Sequence, residues 1–395
     1  MGEVARGLFA DPAADAGVDP AHSTGLLPAQ HLRGLIEQSR EIRAIEPIEA
    51  EQIQPASLDL RLGGTAYRVR ASFLPGEGAL VQDKIEAFAM HRFELSDAGA
   101  VLEKGCVYIV QLMESLCLRK RTSAIANPKS SIGRIDVFTR LITDHGIEFD
   151  RVPANYHGPL FAEISPRTFS ILVRQGDRLN QIRIKRGTPL SSDDAMRRLN
   201  ERELLLEPGL EPDEIRRGVP ITVDIAGRGE GTLIGYRARK HAGLIDLRKI
   251  RHYAPRDFWH PLHASPERGL VLDPDEFYIL ASKEAIRVPA DHAAEMLAYD
   301  PTMGEFRVHY AGFFDPGFGH PESGGAPESG GAGGEGTRAV LEVRSHEVPF
   351  VLEDGQRVGR LIYERLIARP DRLYGAGIGS SYQRQGLALS KHFTS

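Results

Sequence analysis

LEKGCVYIVQLMESLCL (Leu102 to Leu118) and LDPDEFYILASKEAIRV (Leu272 to Val288) decide the fold, because the second restates the first at an offset of 170 residues. Tyr108 falls on Tyr278, and Glu114 on Glu284. Further along, FAEI and SILVRQGDRLNQIRI (Phe161 to Ile184) fall on VLEV and PFVLEDGQRVGRLIY (Val340 to Tyr363) at an offset of 179. Here Glu163 meets Glu342, Gly176 meets Gly355 and Arg178 meets Arg357. The change of offset is explained by PESGGAPESGGAGGEG (321–336), a stretch too poor in apolar side chains to pack and expected to be a flexible loop. Two tandem copies of one fold are therefore expected.

Each copy is written in short alternating runs broken by Gly, Pro and Asp. SLDLRLG, TAYRVRA, CVYIVQL and NQIRIK belong to the first, and ITVDIAG, FYILAS, AVLEV and RLIYERL to the second. Such runs predict β-strands closing into sandwiches or barrels, so the fold class is mainly β with a few short helices. Helical periodicity is confined to Leu27 to Ile45, Asp193 to Leu206 and short turns near Asp291 to Ala298. The expected organisation is an N-terminal tail (1–25), a first domain (26–190), a helical connector (191–218) and a second domain (219–395) ending in a Gly-rich tail (374–395).

The chain has 395 residues, 41% of them hydrophobic, which is enough for two domains each with its own core. A net charge of -5 provides no global basic field, so a nucleic-acid polymer is not an expected partner and any anion site must be local. The two cysteines, Cys106 and Cys117, form no CxxC pair, and a reducing, cytoplasmic setting is expected. No apolar run reaches the roughly 18 residues that a membrane span needs, and the first residues lack the order of a signal peptide.

NPKSSIGR (Asn127 to Arg134) is the candidate anion site. Lys129 and Arg134 supply charge, while Ser130, Ser131 and turn N–H groups supply donors. Glu163 in GPLFAEI and Glu342 in RAVLEV are acids embedded in apolar strand patterns. Desolvation there raises a carboxyl pKa toward neutrality, which suits a group that takes and returns a proton. Ahead of each lies an aspartate in a turn, Asp150 in GIEFDRVPANYHG and Asp315 in HYAGFFDPGFG, placed to accept from a sugar hydroxyl beside a backbone that pairs with a base edge. The tail YGAGIGSSYQRQGLALSKHF, from Tyr374, offers polar groups able to close over phosphates.

In order, PASLDLRLG (Pro55 to Gly63), KSSIGR (Lys129 to Arg134), an Asp turn followed by a strand Glu, the QGDRLNQI or DGQRVGRL turn and the Gly-rich tail resemble the dCTP deaminase branch of the trimeric dUTPase superfamily. The resemblance runs from Pro55 nearly to the end. It implies two dUTPase-like β-barrels, with Lys129, Ser130, Ser131 and Arg134 as the phosphate-binding and catalytic loop. Lys129 stands where the family commonly has Arg, keeping the charge and losing the fork. The second copy has YDPTMGEF at the loop position and lacks the serines and the Arg. Neither copy is complete, which suggests a composite site: the loop of one domain facing Asp315, Val340, Leu341, Glu342, Tyr374, Tyr382, Gln383 and Gln385 of another. The competing assignment, with Glu163 and Asp150 serving the loop, stays open.

The implied reaction is hydrolytic deamination of dCTP to dUTP and ammonia. The zinc deaminases' HxE and PCxxC constellation does not occur in the chain, so no protein zinc ligands are expected and a glutamate is expected to activate water. Mg2+ is expected to accompany the triphosphate, with no tightly bound cofactor. The resemblance also implies a trimer-based homo-oligomer and possible inhibition by dTTP. The alternatives are a dUTP pyrophosphatase or bifunctional enzyme, to whose uridine loop Asp150, Tyr156 and Gly158 bear a faint likeness, and a non-catalytic nucleotide-binding regulator.

Overall fold

The computed structural model of the protein describes residues 24–189, 192–265, 269–297, 306–308, 312–319, 336–345, 347–375 and 387–394. The chain is mainly β. In the first copy, seven strands form a continuous path that runs Val137–Thr143, His157–Pro166, Val107–Cys117, Leu58–Val69, Arg178–Arg186, Thr122–Pro128, Arg151–Val152. In the second copy the same strands fall into two sheets. One runs Trp259–His263, Leu233–Ala238, Tyr278–Ile286, Thr337–Ser345, Phe306–Val308, and the other Val219–Thr222, Arg357–Arg365, His292–Leu297, Phe313–Phe314. The split arises where the first copy's single strand Leu58–Val69 is matched by two, Val219–Thr222 and Leu233–Ala238. Between these lies DIAGRGEG, with Gly227 at φ 57° and Gly231 at φ 78°. A left-handed backbone breaks the ladder there, and glycine adopts it without strain.

The repeat reaches down to single hydrogen bonds. The Tyr108 hydroxyl accepts from the Glu103 N–H at 3.0 Å, and the Tyr278 hydroxyl from the Asp273 N–H at 3.0 Å. The Glu114 carboxylate accepts from the Arg61 N–H at 2.8 Å, and that of Glu284 from the Thr222 N–H at 2.9 Å. Gly176 and Gly355, at φ 81° and 74°, turn the QGDR and DGQR corners and donate to Leu62 and Val223 at 2.8 and 2.9 Å.

Two expected helices are corrected. The helix expected over Leu27 to Ile45 spans only Ala29–Glu37. Arg40 at φ 53° ends it, and Ile42–Ala44 then pairs with the strand Val107–Cys117. The turns expected near Asp291 to Ala298 are instead the strand His292–Leu297, held between Arg357–Arg365 and Phe313–Phe314, where ladder pairing outweighs local alanine propensity. The connector helix forms as Asp193–Arg202, capped by the Ser192 hydroxyl, which accepts from the Ala195 N–H at 3.2 Å.

The two copies share a core. Ile171–Val173 of the first pairs in parallel with Ile245–Asp246 of the second. Trp259, fully buried, sits edge-on to Phe169 of the first copy with ring centroids 5.4 Å apart and to Phe393 at 5.8 Å. Buried ions tie the copies together as well. The Arg344 guanidinium of the second donates to Asp136 of the first and, at 2.8 Å, to the Thr168 hydroxyl.

Candidate functional site

Residues of both copies meet around the short helix Ser130–Gly133, which follows the strand Thr122–Pro128. Lys129 precedes the helix, its N–H donating to the Leu179 carbonyl at 2.8 Å and its ammonium paired with Asp59. Ser130 is exposed, whereas Ser131 and Arg134 are buried. The Arg134 guanidinium lies 3.9 Å from the Glu342 carboxylate across the boundary between the copies, and its Nη1 donates to the Ala388 carbonyl at 3.1 Å.

Strand alternation explains the position of Glu342. On Thr337–Ser345, Val340 and Glu342 share one face. Val340 packs against the core cluster centred on the first copy, while Leu341 points the other way into the second copy's core. Burial pushes the Glu342 carboxyl up to about 7, a rise that the Arg134 charge opposes and the Asp136 charge assists.

Asp315 occupies the turn after Phe313–Phe314. Its carboxylate accepts at 3.0 Å from Arg183 of the first copy, a guanidinium almost entirely out of water. Arg183 also donates to the carbonyls of Ala294 and Phe314, at 2.8 and 2.9 Å, and stacks over Phe313 at 4.0 Å. Burial raises the Asp315 pKa against the pull of Arg183, and the Asp59 and Lys129 charges act on it too. Tyr374 rests on this turn, its N–H donating to the Pro316 carbonyl at 2.8 Å and its ring 5.4 Å from that of Phe318. Tyr382, Gln383 and Gln385 lie outside the described residues, as does most of the Gly-rich insert.

The first copy's acids are arranged differently. Glu163 stands opposite Ile109 as Glu342 stands opposite Ile279. Yet Glu163 accepts from Arg140, its neighbour on Val137–Thr143, with Nε at 3.0 Å. The Arg140 guanidinium is stacked 3.5 Å over Phe149 and also donates to the Ser72 hydroxyl at 2.8 Å. Phe149 in turn packs on an apolar cluster built with Val81 and Ile85 of the helix Val81–Phe88. A cation, an aromatic ring and a helix thus cover the Glu163 face from within its own domain. Asp150, at φ 62°, is half-buried beside them, accepts from the Leu141 N–H at 2.7 Å and is pushed by desolvation up to about 7. Tyr156 donates to the Pro159 carbonyl at 2.6 Å, and Gly158 lies on the strand His157–Pro166. The structure thus brings Lys129, Ser131 and Arg134 together with Asp315, Val340 and Glu342, and leaves Asp150 and Glu163 with Arg140.

Asp59 and Arg183 were not singled out from the sequence as site residues, and of the tail the residues Ala388, Ser390 and His392 were not named individually. Arg183 had a readable signal: Ile182, Arg183 and Ile184 form a strand interior in which a charge has no business unless it is paired. Among the described residues no group of three or more His, Cys, Asp or Glu is arranged to hold a metal ion, and no helix is long and apolar enough to cross a membrane.

Comparison with known proteins joins this geometry to a family. Residues 23–188 match the N-terminal domain model of 2'-deoxycytidine 5'-triphosphate deaminase (DCD), and residues 192–393 match its C-terminal domain model. The crystal structure of 2'-deoxycytidine 5'-triphosphate deaminase from Agrobacterium tumefaciens is 52% identical, with a TM-score of 0.80 over 87% of this chain and 99% of that one. A dUMP-forming dCTP deaminase from Kocuria rhizophila is 27% identical over 50% of this chain and 90% of its own length. Another from Beutenbergia cavernae is 31% identical over 31% of this chain and 58% of its own length. With two domain models in sequence and a solved relative aligned along most of both chains, this protein belongs to the dCTP deaminase family of enzymes, built on the dUTPase-like fold.

Proposed function

We propose that this chain deaminates dCTP hydrolytically in the crevice between its two copies, with Glu342 as the proton-transferring group. The observation that carries the assignment is the desolvated Glu342 carboxyl lying 3.9 Å from Arg134 of the serine-containing loop. A carboxyl poised near neutrality accepts a proton from water as the oxygen attacks C4 of the cytosine ring. It passes that proton to ring N3, then takes a second from the new C4 hydroxyl and delivers it to the amine as the C4–N bond breaks, so that dCTP and water become dUTP and ammonia. General acid and base catalysis of this kind is worth about 10²- to 10⁴-fold. Arg134 keeps the acid from being driven fully neutral, and Ser130 and Ser131 orient the water and the nearest phosphate. Lys129 takes phosphate charge in exchange for its pairing with Asp59, and Mg2+ enters as part of the triphosphate substrate. Asp315 accepts from the deoxyribose hydroxyl, and Tyr374 stacks beneath that turn. Tyr382, Gln383 and Gln385 are proposed to close over the triphosphate.

Glu163 is proposed not to act. Its carboxylate is already engaged by Arg140 of the neighbouring strand, whose guanidinium is stacked on Phe149. The decisive experiment measures ammonia release from dCTP by Glu342→Gln and Glu163→Gln proteins; a Glu342→Gln enzyme with full turnover overturns the assignment.

A second reading is that the product is dUMP, since curated relatives aligned along half of the chain or less are named dUMP-forming dCTP deaminases. Chromatography of the products separates dUTP from dUMP plus pyrophosphate. A trimer-based assembly, a cytoplasmic location and inhibition by dTTP are further expectations of the family likeness, testable by light scattering, fractionation and competition.

A further inference from the structure

We propose that Ser390 and His392 are positioning residues for the catalytic loop, acting through the carbonyl of Ser131. The proposal rests on the assignment of that loop and Glu342 to the reaction. It starts from a gap in the loop's main-chain bonding. The carbonyl of Lys129 accepts from the Ile132 and Gly133 N–H groups, that of Ser130 from Arg134, that of Ile132 from Ile135 and that of Gly133 from Asp136. The Ser131 carbonyl accepts from none of these, as expected of a one-turn helix, whose final carbonyls lack intrahelical donors.

Ser390 fills the gap. Its hydroxyl, buried to 2% exposure, donates to the Ser131 carbonyl at 2.7 Å. A hydroxyl has one proton to give, and the Ser390 hydroxyl has two acceptors beside it, the Ser131 carbonyl and an imidazole nitrogen. His392, fully buried, presents Nδ1 to it at 2.8 Å, while its Nε2 lies 3.2 Å from the Leu247 carbonyl. Burial holds this imidazole down to about 4, so it is neutral with one N–H; the Leu247 carbonyl can only accept, so Nε2 carries that proton and Nδ1 is an acceptor facing the Ser390 hydroxyl. Ser390, seated between His392 and the Ser131 carbonyl, fixes the peptide plane between Ser131 and Ile132. Two residues earlier, the Ala388 carbonyl holds Arg134 Nη1. One short segment thus grips both the turn that carries the serines and the guanidinium that faces Glu342. Its far end is anchored by Phe393, seated against Phe258 and Trp259 at 5.4 and 5.8 Å between ring centroids.

A purely structural tail would lose stability and activity together when cut loose, whereas a positioning relay loses turnover first. The test compares Ser390→Ala and Ser390→Cys with the unaltered full-length protein, measuring kcat, KM for dCTP and thermal unfolding. The expected result is a fall in kcat of about tenfold or more for Ser390→Ala, with KM and unfolding temperature little changed, since a small displacement of a catalytic group costs rate steeply. Ser390→Cys, with a weaker S–H donor, is expected to fall between the two. His392→Asn, whose amide oxygen can replace the Nδ1 acceptor, is expected to retain more kcat than His392→Ala at equal folded fraction. The proposal is overturned by a Ser390→Ala enzyme with unchanged kcat, or by a kcat loss that only tracks the loss of folded protein. Glu342→Gln run in parallel separates the two claims: if it stays active, the site assignment has failed; if it is dead while Ser390→Ala is fully active, only the relay has.

Discussion

Glu163 and Glu342 occupy the same register point of two homologous sheets, facing Ile109 and Ile279, yet among the described residues only Glu163 carries a guanidinium from its own sheet. The duplication has kept the acid in both copies and changed what lies over it. In the first copy the cover is Arg140, Phe149 and the helix Val81–Phe88; in the second it is the other domain's loop.

Glu342→Gln is therefore expected to lower kcat for dCTP by about 10²- to 10⁴-fold, the range of an acid–base group. Glu163→Gln is expected to keep near-normal kcat. It should instead lose about 1–3 kcal/mol of stability as a charge-assisted bond to Arg140 is weakened. Steady-state assays beside urea unfolding of both proteins check the pair.

The raised Glu342 pKa has a stability signature of definite sign. Folding favours the protonated form, so the folded chain holds an extra proton between the usual 4.5 and about 7. The resulting destabilisation is absent below the lower value, grows as pH rises through the window and is complete above about 7. There it amounts to about 3 kcal/mol. Glu342→Gln should accordingly be more stable than the parent at pH 8 and equal to it near pH 4, as read by denaturant titration at several pH values. Asp150→Asn should follow the same sign, because burial also lifts Asp150 to about 7.

Asp136 and Arg344 join the copies through a buried pair. Arg344→Met strands the Asp136 carboxylate with the Thr168 hydroxyl, which still donates at 2.5 Å. The expected cost is about 3–5 kcal/mol. If the pair couples the domains, calorimetry should show the unfolding transition broaden or split; an unchanged single transition counts against that coupling.

Lys129→Met should raise KM for dCTP while leaving kcat within a few-fold, because the ammonium is proposed to bind phosphate rather than reacting atoms. The defect should shrink from dCTP to dCMP as the phosphates it recognises are removed. An equal effect on all substrates argues for a role confined to the Asp59 pairing.

The two-copy β architecture was legible because strand alternation and turn residues repeat with the register, down to Tyr108 and Tyr278. The acids were legible for the same reason: a charge in an apolar strand is conspicuous. Which acid faces the loop was not, since Arg140 sits 23 positions from Glu163 in the chain and becomes its neighbour only through strand pairing. The strand His292–Leu297 was missed because HAAEML has helical propensity, and only its two flanking strands reveal its state. Asp59 and Ser390 stayed hidden because their roles depend on contacts across 70 and 259 positions.

The parallel pairing of Ile171–Val173 with Ile245–Asp246 also has a temporal meaning. During synthesis the first copy emerges with one edge of that small sheet unfilled, and it must wait for more than seventy further residues before Asp246 arrives to accept from Arg174. Arg134, Glu342 and Ala388 then become available in that order, so the proposed site can assemble only after the strands of both copies that carry it have been made.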